Sequence, residues 1–538
     1  MARSFLTLAT AALATTAVLA AVEAPAGNFV DGACVAGYDA SSDASVDLFP
    51  SKAVPGSDFK DKVSSDYSLL WDVTYHKHYK VINATNAALV DSNAVKYAVL
   101  YQCGTPQPDL SATLGTAGVK YYSIPITKAA VASTTYLPLL EILGERKAIV
   151  AYTSSFAYVT SPCLNKMKID GTTNEVTGDW PTRNTELTRL GVQVTFSDTY
   201  NPAALNAWVM TNIKETSAAA SALFGGTSAT LQGAEYIKLV SLFFNREAEA
   251  NAAFSTIANR YLCTVKDVQA AVAAAGATTP KVLWASYYAG GWSVGTCPNY
   301  YCEVIKAAGG EMIEYTGMVG DVVTSWGSKY LSTAQLLTKA KDADVWFHAG
   351  NWSTRGGTQF TAGHRDVKAV KNGRVFDTNG RGSNDWFESR VAEPDVFLRD
   401  IASALWPNHA SLGKRDGRGW IRHQDEWVNE RREEVCTDTG AAHTLSGDGH
   451  AWCPETKTSQ EVMFMETPVG IMVIALAAIL ALVVAVTVVA FVVAAVVLIK
   501  VKNGANASGK AVLPTVAVSE KAAVEVELAP VASVTVVA

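Results

Sequence analysis

The chain lacks the short catalytic motifs that mark several large enzyme classes. It has no GxxxxGK[ST] loop, which excludes ATP binding by that phosphate cradle, and no HExxH helix, which excludes that class of zinc protease. Its eight histidines are scattered, and they do not supply the three or four converging ligands of a bare metal-ion site. His76 and His78 would chelate a metal if they shared one strand face, but a solvated hairpin is the favoured interpretation. The net charge of −6 gives no sign of nucleic-acid binding.

Two stretches lack charge altogether. Residues 5–22 form an uncharged apolar run behind Arg3, which predicts a signal peptide over residues 1–24, with an uncleaved anchor as the alternative. Residues 469–499 are also uncharged, and about 20 such residues suffice to cross a bilayer. Lys500 and Lys502 follow at once, so the positive-inside rule predicts a single-pass type I membrane protein. Its ectodomain is then extracellular or lumenal, and residues 500–538 form a short cytoplasmic tail.

Cysteine is scarce, and all eight cysteines precede the predicted membrane span. An even number in an exported domain favours disulfides, and the spacing lacks the paired CxxC of most structural zinc sites. We predict the two most local pairs, Cys297 with Cys302 and Cys436 with Cys453. The sequons at Asn83 and Asn351 predict glycosylation on the exported side.

Glycine and proline are absent between Ala234 and Ala275. Within this stretch apolar residues recur at helical spacing, which predicts one amphipathic helix over about residues 231–262. At about 1.5 Å per residue such a helix is about 45 Å long. Blocks of similar size with strand and loop signals flank it, so it is either a spine between two α/β lobes or a core helix of one large domain.

The rest of the chain divides by composition, since short apolar runs alternate with turn residues and helical stretches. We predict an α/β fold of two lobes joined by one long backbone helix, with a ligand cleft between the lobes and a C-terminal transmembrane helix. The predicted parts are a flexible leader at 25–64, an N-terminal lobe at 65–227, the interlobe helix region at 228–275, a C-terminal lobe at 276–407, and a charged stalk at 408–468. A partly folded juxtamembrane module is the alternative to the stalk.

Aromatic and cationic residues follow three predicted strands of the second lobe. They lie in residues 286–292, 350–355 and 384–390. In parallel α/β sheets, ligands bind beyond the carboxyl ends of strands. Aromatic rings there offer flat apolar contact, and arginine offers a fork for oxygen atoms. Ordinary core and surface aromatics are the alternative for any single residue, but three clusters in one lobe favour a lined cleft.

Several of these stretches resemble a known family. AEYIKLVSLFFNREAEANAAFSTIANRY at 234–261, VLWASYYAGGWSVGTCPNYYCEVIKAAGG at 282–310, and AVKNGRVFDTNG with NDWFESRVAEPDVFLRDIASALWP at 369–407 are similar to the helical-backbone class of periplasmic substrate-binding proteins. IPITKAAVASTTYLPLLEILG at 124–144 resembles the opening strand, turn and helix of that class. The class captures ferric siderophores, haem and cobalamin, so the resemblance implies two lobes with a ligand between them.

The resemblance also implies which residues line the cleft. In the first lobe they are Tyr101, Thr105, Ser133, Thr134, Thr135, Tyr152 and Ser154, and in the second Tyr287, Tyr288, Trp292, Trp352, Arg355, Trp386 and Arg390. The membrane anchor, cysteines and sequons depart from the bacterial pattern and are most like the membrane-anchored ferrichrome-binding proteins of marine algae. The resemblance therefore implies a receptor for an iron–siderophore complex in iron uptake, with a reductase or transporter as a further partner and without a cofactor.

Other functions remain open at this point. The same fold would suit a receptor for cobalamin or a metal ion, or an adhesion or structural ectodomain without a ligand. An enzyme that uses Asp385 and Glu388 for acid–base chemistry in the cleft is the least favoured, and we predict that the chain is not an enzyme.

Overall fold

The computed structural model describes most of the chain between residues 22 and 446. The described residues are 22–50, 61–68, 71–84, 96–197, 204–209, 228–276, 279–297, 299–323, 329–354, 356–409, 412, 419–426, 428 and 431–446. The predicted membrane span at 469–499 and most of the predicted signal peptide lie outside them. Within the described ranges, no helix combines the length and the apolar character that crossing a membrane requires.

The first lobe, which we define as the chain through β9, contains two sheets. One has the order β1–β2–β3–β4, and only its last pair is parallel. The other is fully parallel, with the order β7–β6–β5–β8–β9. The strands are β1 (Asp72–Tyr75), β2 (Tyr79–Asn83), β3 (Tyr97–Gln102), β4 (Val119–Ile124), β5 (Ala129–Val131), β6 (Ile149–Tyr152), β7 (Asn174–Glu175), β8 (Val194–Ser197) and β9 (Ala207–Val209). The helices are α1 (Ser111–Leu114), α2 (Leu137–Ile142), α3 (Pro162–Ile169) and α4 (Trp180–Leu190).

The predicted long helix is two helices, α5 (Ser228–Ser241) and α6 (Glu247–Ala275). The prediction of one continuous helix over 231–262 is therefore wrong. Between the two helices Asn245 adopts a left-handed backbone conformation with φ 58°, which a continuing helix cannot contain. α6 alone has 29 residues and is about 44 Å long.

A buried lysine of the first lobe stabilises this break. The Lys80 ammonium donates to the Leu242 carbonyl at 3.2 Å and to Asn245 Oδ1 at 2.7 Å, and it forms a fully buried ion pair with Glu247. Leu242 and its neighbours end α5, where carbonyls lose their helical partners, and Glu247 opens α6. One side chain from β2 thus satisfies a carbonyl that the break exposes and pairs with the first residue of the next helix.

The second lobe, which we define as the chain from β10 through α11 together with β17, is built on one larger sheet. Its order is β11–β10–β15–β16–β17, with β12 also paired to β10. The inner pairs are parallel, and β11 and β17 are antiparallel edges. The strands are β10 (Lys281–Tyr288), β11 (Gly291–Val294), β12 (Glu311–Met312), β13 (Val322–Val323), β14 (Lys329–Tyr330), β15 (Val345–His348), β16 (Val375–Asp377) and β17 (Arg422–His423). The helices are α7 (Tyr300–Ala307), α8 (Thr333–Ala340), α9 (Lys368–Lys371), α10 (Asp385–Glu388) and α11 (Pro394–Leu405).

α6 contacts both lobes. Near its start Phe254 packs edge-on against Tyr67, with ring centroids 5.6 Å apart. Further along, Arg260 lies 3.8 Å from the Asp395 carboxylate at the start of α11. Val268 packs against Gly309, which lies just beyond α7. A side chain at position 309 would force Val268 and its neighbours to move.

Two segments that were predicted to be loose are packed against the body. In the predicted leader, Leu48 and Phe49 are fully buried, and Cys34 forms a disulfide with Cys103. In the predicted stalk, residues 419–446 return to the body, where Trp420 is fully buried and β17 extends the second sheet. The leader is thus anchored to the body at Leu48, Phe49 and Cys34, and residues 419–446 do not form the predicted stalk, since Trp420 and β17 belong to the body.

The disulfides confirm one predicted pair and correct the other. Cys297 is bonded to Cys302 as predicted. Cys436 is bonded to Cys163 rather than to Cys453, which lies outside the described residues. Because Cys163 lies on α3, 273 residues before Cys436, sequence proximity does not reveal this pairing.

Candidate functional site

The two lobes meet directly along a seam. On the first-lobe side the seam is formed by the segments that follow β5 and β6, within residues 133–161, and on the second-lobe side by residues 384–390. Thr135 Oγ1 donates to the Phe387 carbonyl at 3.1 Å, and Asn384 Nδ2 donates to the Ala157 carbonyl at 3.2 Å. The site that the sequence predicts at strand ends therefore corresponds, for these residues, to the contact between the lobes.

Five predicted first-lobe residues come together at this seam: Ser133, Thr134, Thr135, Tyr152 and Ser154. β5 and β6 are parallel neighbours with Val131 opposite Tyr152, so their carboxyl ends are adjacent. The Tyr152 phenol hydrogen-bonds with Ser154 and with the Thr134 backbone. Burial raises its pKa far above the ordinary value, so it remains a neutral phenol at physiological pH. The other two predicted residues, Tyr101 and Thr105, lie at the end of β3 in the other sheet.

A buried ionic cluster lies at the seam. Glu141 comes from α2 of the first lobe, and Asp385 and Glu388 come from α10 of the second. Arg431 Nη1 lies 3.0 Å from Asp385 Oδ1 and 3.5 Å from Glu388 Oε1, and Nη2 lies 3.3 Å from Glu141 Oε2. Thr160 donates its backbone amide to Glu388 at 2.6 Å and its hydroxyl to Asp385 at 2.8 Å.

The two α10 carboxyl groups respond to this environment in opposite directions. Burial raises the pKa of Asp385, but Arg381 and Arg431 outweigh it and hold that pKa well below the usual value. For Glu388 burial dominates and raises the pKa to about 8, despite Arg431. Both side chains are fully buried and hydrogen-bonded within the protein. This arrangement fits an interlobe ion-pair cluster, and it leaves no exposed carboxyl for the acid–base alternative.

In the second lobe, three predicted residues form an aromatic cluster around a histidine. Trp292 and Trp352 are buried at 1% and 6% exposure, and both rings pack against His348. Tyr287 packs against Trp292 with centroids 5.2 Å apart, and its amide donates to His348 Nε2 at 3.0 Å. Trp292 Nε1 donates to Thr333 Oγ1 at 3.1 Å. Their rings therefore contact protein in this structure, and Tyr288, beyond them, is 47% exposed.

Trp386 and Arg390 lie in a second aromatic cluster. Trp386 is fully buried and stacks near Trp284. The Arg390 guanidinium lies 4.6 Å from the Tyr300 ring and 4.5 Å from the Trp386 ring, and its Nε donates to the Trp386 carbonyl. Its Nη1 has no hydrogen-bond partner among the described residues. Cation–π contact thus compensates a buried charge that arginine cannot lose by deprotonation. Arg355 lies outside the described residues.

Two exposed aromatic residues at the seam were missed by the sequence interpretation. Phe387 is 56% exposed on α10, and Tyr158 is 57% exposed after β6. The Phe387 carbonyl accepts the Thr135 hydrogen bond, and Tyr158 directly follows Ala157, which accepts from Asn384. The sequence signal was present, since Phe387 belongs to the aromatic run at 384–390, but tryptophan and arginine were preferred there.

Other features lie away from the seam. A pocket of about 390 Å³ between α6 and α7 is lined mainly by apolar residues, including Val265, Val268 and Val272. Over the part of the chain that the structure describes, no group of three or more His, Cys, Asp or Glu side chains is placed to hold a metal ion. The pentapeptide GWSVG at 291–295 has the GxSxG spacing, which the sequence interpretation overlooked. It belongs to β11, in a hairpin with β10, and not to the strand-to-helix turn that a nucleophile elbow requires.

Comparison with known proteins gives likenesses at low identity. No family model matches the chain. An uncharacterized lipoprotein of Methanocaldococcus jannaschii is 22% identical over 355 residues, which cover 62% of this chain and 80% of that protein. A periplasmic heme binding protein from Pseudomonas aeruginosa is similar in structure with a TM-score of 0.39 and 14% identity, covering 53% of this chain and 94% of that one. The siderophore binding protein BauB, bound to ferric iron and two acinetobactin molecules, gives a TM-score of 0.38 and 16% identity with the same coverages.

Proposed function

We propose that this chain is a membrane-tethered binding protein that holds an oxygen-rich iron chelate, of the ferric siderophore kind, at the seam between its two lobes. The observation that carries the proposal is the exposure of two aromatic rings, Tyr158 and Phe387, at a seam where the Thr135 hydroxyl of the first lobe meets the Phe387 carbonyl of the second. A ferric hydroxamate chelate is large, rich in oxygen and close to neutral. It is suited to flat apolar surfaces and a few hydrogen-bond donors, and its iron needs no ligand from the protein.

The sequence supports the tether and the family. The uncharged run at 469–499 is long enough to cross a bilayer, and the two lysines after it favour a cytoplasmic tail. The stretches quoted above resemble helical-backbone substrate-binding proteins, whose ligands lie between two lobes. The chain is thereby proposed to act in iron uptake, and glycosylation at Asn83 and Asn351 remains a prediction.

The test is a tryptophan-fluorescence titration of the purified protein with a ferric hydroxamate, a ferric catecholate, haem, cobalamin and a ferric salt. We expect submicromolar quenching by one ferric chelate and none by its iron-free form. Saturable quenching by cobalamin, haem or the ferric salt would show that the ligand belongs to that class instead. No quenching by any compound would favour a structural or adhesion ectodomain.

Matched variants locate the site. Phe387→Ala and Tyr158→Ala are expected to weaken chelate binding at least tenfold each, a loss of about 1.4 kcal/mol. Ile169→Ala is the control, because Ile169 is 85% exposed at the end of α3 and its removal should leave affinity unchanged. Equal affinities in all three variants would remove the ligand from the seam.

A further inference from the structure

Residues 419–446, as far as the structure describes them, form a segment that we name the clasp. Its first part belongs to the second lobe. Arg422 pairs with Asp377 through two hydrogen bonds of 2.8 and 2.9 Å, and β17 extends the sheet beside β16. Trp420 Nε1 donates to Asp385 Oδ2 at 2.9 Å. This part of the clasp is thus an edge of the second lobe.

Residues 436–443 of the clasp attach to the first lobe. Cys436 is bonded covalently to Cys163 on α3. Arg146 donates to the carbonyls of Thr439 and Ala441 at 3.0 and 2.8 Å, and the His443 amide donates to the Glu141 carbonyl at 2.8 Å. The clasp therefore begins on the second lobe, attaches to the first lobe over residues 436–443, and returns to the second lobe at Ser446, whose hydroxyl donates to Glu393 at 2.9 Å and accepts from Arg381 at 2.7 Å.

Arg431 lies between these two attachments. Its side chain is 2% exposed and pairs with Glu141 of the first lobe and with Asp385 and Glu388 of the second. The other two arginines of the cluster each pair within one lobe, Arg146 with Glu141 and Arg381 with Asp385. Among the arginines of this cluster, Arg431 is thus the one that pairs with carboxylates of both lobes.

We propose that the clasp holds the two lobes together, with Arg431 as the residue that closes the seam, so that opening of the lobes requires displacement of the clasp. Arg431 is shared by Glu141 of the first lobe and Asp385 of the second, so its loss removes the ion pairs that join the lobes. Each of these buried carboxylates then keeps only the arginine of its own lobe, Arg146 or Arg381, and a buried ion pair that loses one partner is strongly destabilised. The consequence for ligand exchange rests on the proposed function, since the exchange rate of a ligand at the seam then depends on the clasp.

Hydrogen–deuterium exchange of the full chain tests the clasp without any ligand. The Thr160 and Ser161 amides donate to Glu388 across the seam, at 2.6 and 3.0 Å, so their exchange reports separation of the lobes. We expect Arg431→Met to speed their exchange at least tenfold. The amides of β8 lie in the interior of the first lobe and serve as an internal reference, which should keep its protection. Arg189→Met is the matched control, because Arg189 pairs with Glu186 at the surface.

A second variant covers the case in which Arg431→Met does not fold. Cys163→Ser with Cys436→Ser keeps Arg431 and cuts the covalent attachment, and it should speed exchange at Thr160 and Ser161 by a smaller factor. Unchanged exchange at the seam in the folded variants would overturn the proposal, and so would equal loss of protection at the seam and in β8. If no chelate of the panel bound, the hydrogen–deuterium exchange result would be unaffected. Failure of the clasp proposal and failure of the proposed function are therefore distinguishable.

Discussion

The strand ends of the two lobes occupy equivalent positions in their sheets, but the side chains that they carry lie in different surroundings. In the first lobe they carry Ser133, Thr135 and Ser154, whose hydroxyl and backbone groups lie at the seam. In the second lobe they carry Trp292 and Trp352, which turn inward and form the centre of a core cluster. The sheet topology thus places the strand ends near the contact between the lobes, but the type of side chain decides whether a residue faces that contact or the core. A tryptophan gains more from burial of its large surface than a serine, which gains most from hydrogen bonds.

The neighbours Trp386 and Phe387 give the largest expected contrast. Trp386→Ala removes a fully buried ring from contact with Trp284 and Phe397 and should lower the free energy of unfolding by about 3–5 kcal/mol. Phe387→Ala removes a ring that is 56% exposed and should change it by less than about 0.5 kcal/mol. Denaturant titration of both variants measures the difference. Similar losses of unfolding free energy in the two variants would contradict the assignment of Trp386 to the core and Phe387 to the exposed seam.

Two buried cations extend the comparison to charge. Lys80 in the first lobe pairs with Glu247, whereas Arg390 in the second lobe is enclosed by aromatic rings and has no carboxylate partner among the described residues. Lys80→Met leaves Glu247 buried without its partner and should cost about 3–5 kcal/mol of stability. Arg390→Met removes cation–π contacts and one hydrogen bond to the Trp386 carbonyl but breaks no ion pair, and it should cost about 1–2 kcal/mol. The double variant Lys80→Met with Glu247→Gln should recover part of the first loss. If Arg390→Met cost as much as Lys80→Met, Arg390 would need a counter-charge that the described residues do not show.

Local sequence patterns predicted the individual helices and strands better than the long-range contacts between them. The apolar spacing over 231–262 is helical as predicted except at 242–246, where the helix breaks. Short apolar runs also predict strands at 96–101, 148–152, 281–285 and 344–348, and the structure has them at 97–102, 149–152, 281–288 and 345–348. The break at Asn245 was missed because each residue of Leu242–Arg246 is compatible with a helix, and the Lys80 side chain that stabilises the break lies far away in sequence.

The clasp was missed for a related reason. Its many charged residues are typical of a solvated stalk, and composition alone cannot distinguish a charge in water from a charge that meets its partner in the fold. Arg422 pairs with Asp377, 45 residues away, and Arg431 pairs with Asp385 and Glu141, 46 and 290 residues away. The candidate site was difficult to predict for the same reason. Phe387 and Trp386 differ in solvent exposure, and no local sequence pattern gives that exposure.

The last expected effect is a pH dependence that separates the two carboxyl groups of α10. Because the pKa of Glu388 is raised to about 8 from 4.5, the folded protein retains a proton that the unfolded chain releases between these values. Its contribution to stability is therefore full below about pH 4.5 and is lost as pH rises to about 8. Asp385, whose pKa is lowered, contributes above its ordinary pKa and loses that contribution as pH falls below it.

Thermal unfolding between pH 6 and 9 measures the Glu388 contribution. The wild type should lose stability as pH rises, and Glu388→Gln, which keeps a neutral side chain that can still accept from the Thr160 amide, should lose less. Glu186→Gln is the control, because Glu186 pairs with Arg189 at the surface and should keep the wild-type slope. A wild-type slope in Glu388→Gln would mean that Glu388 is ionised at the seam, with Arg431 outweighing burial as it does for Asp385.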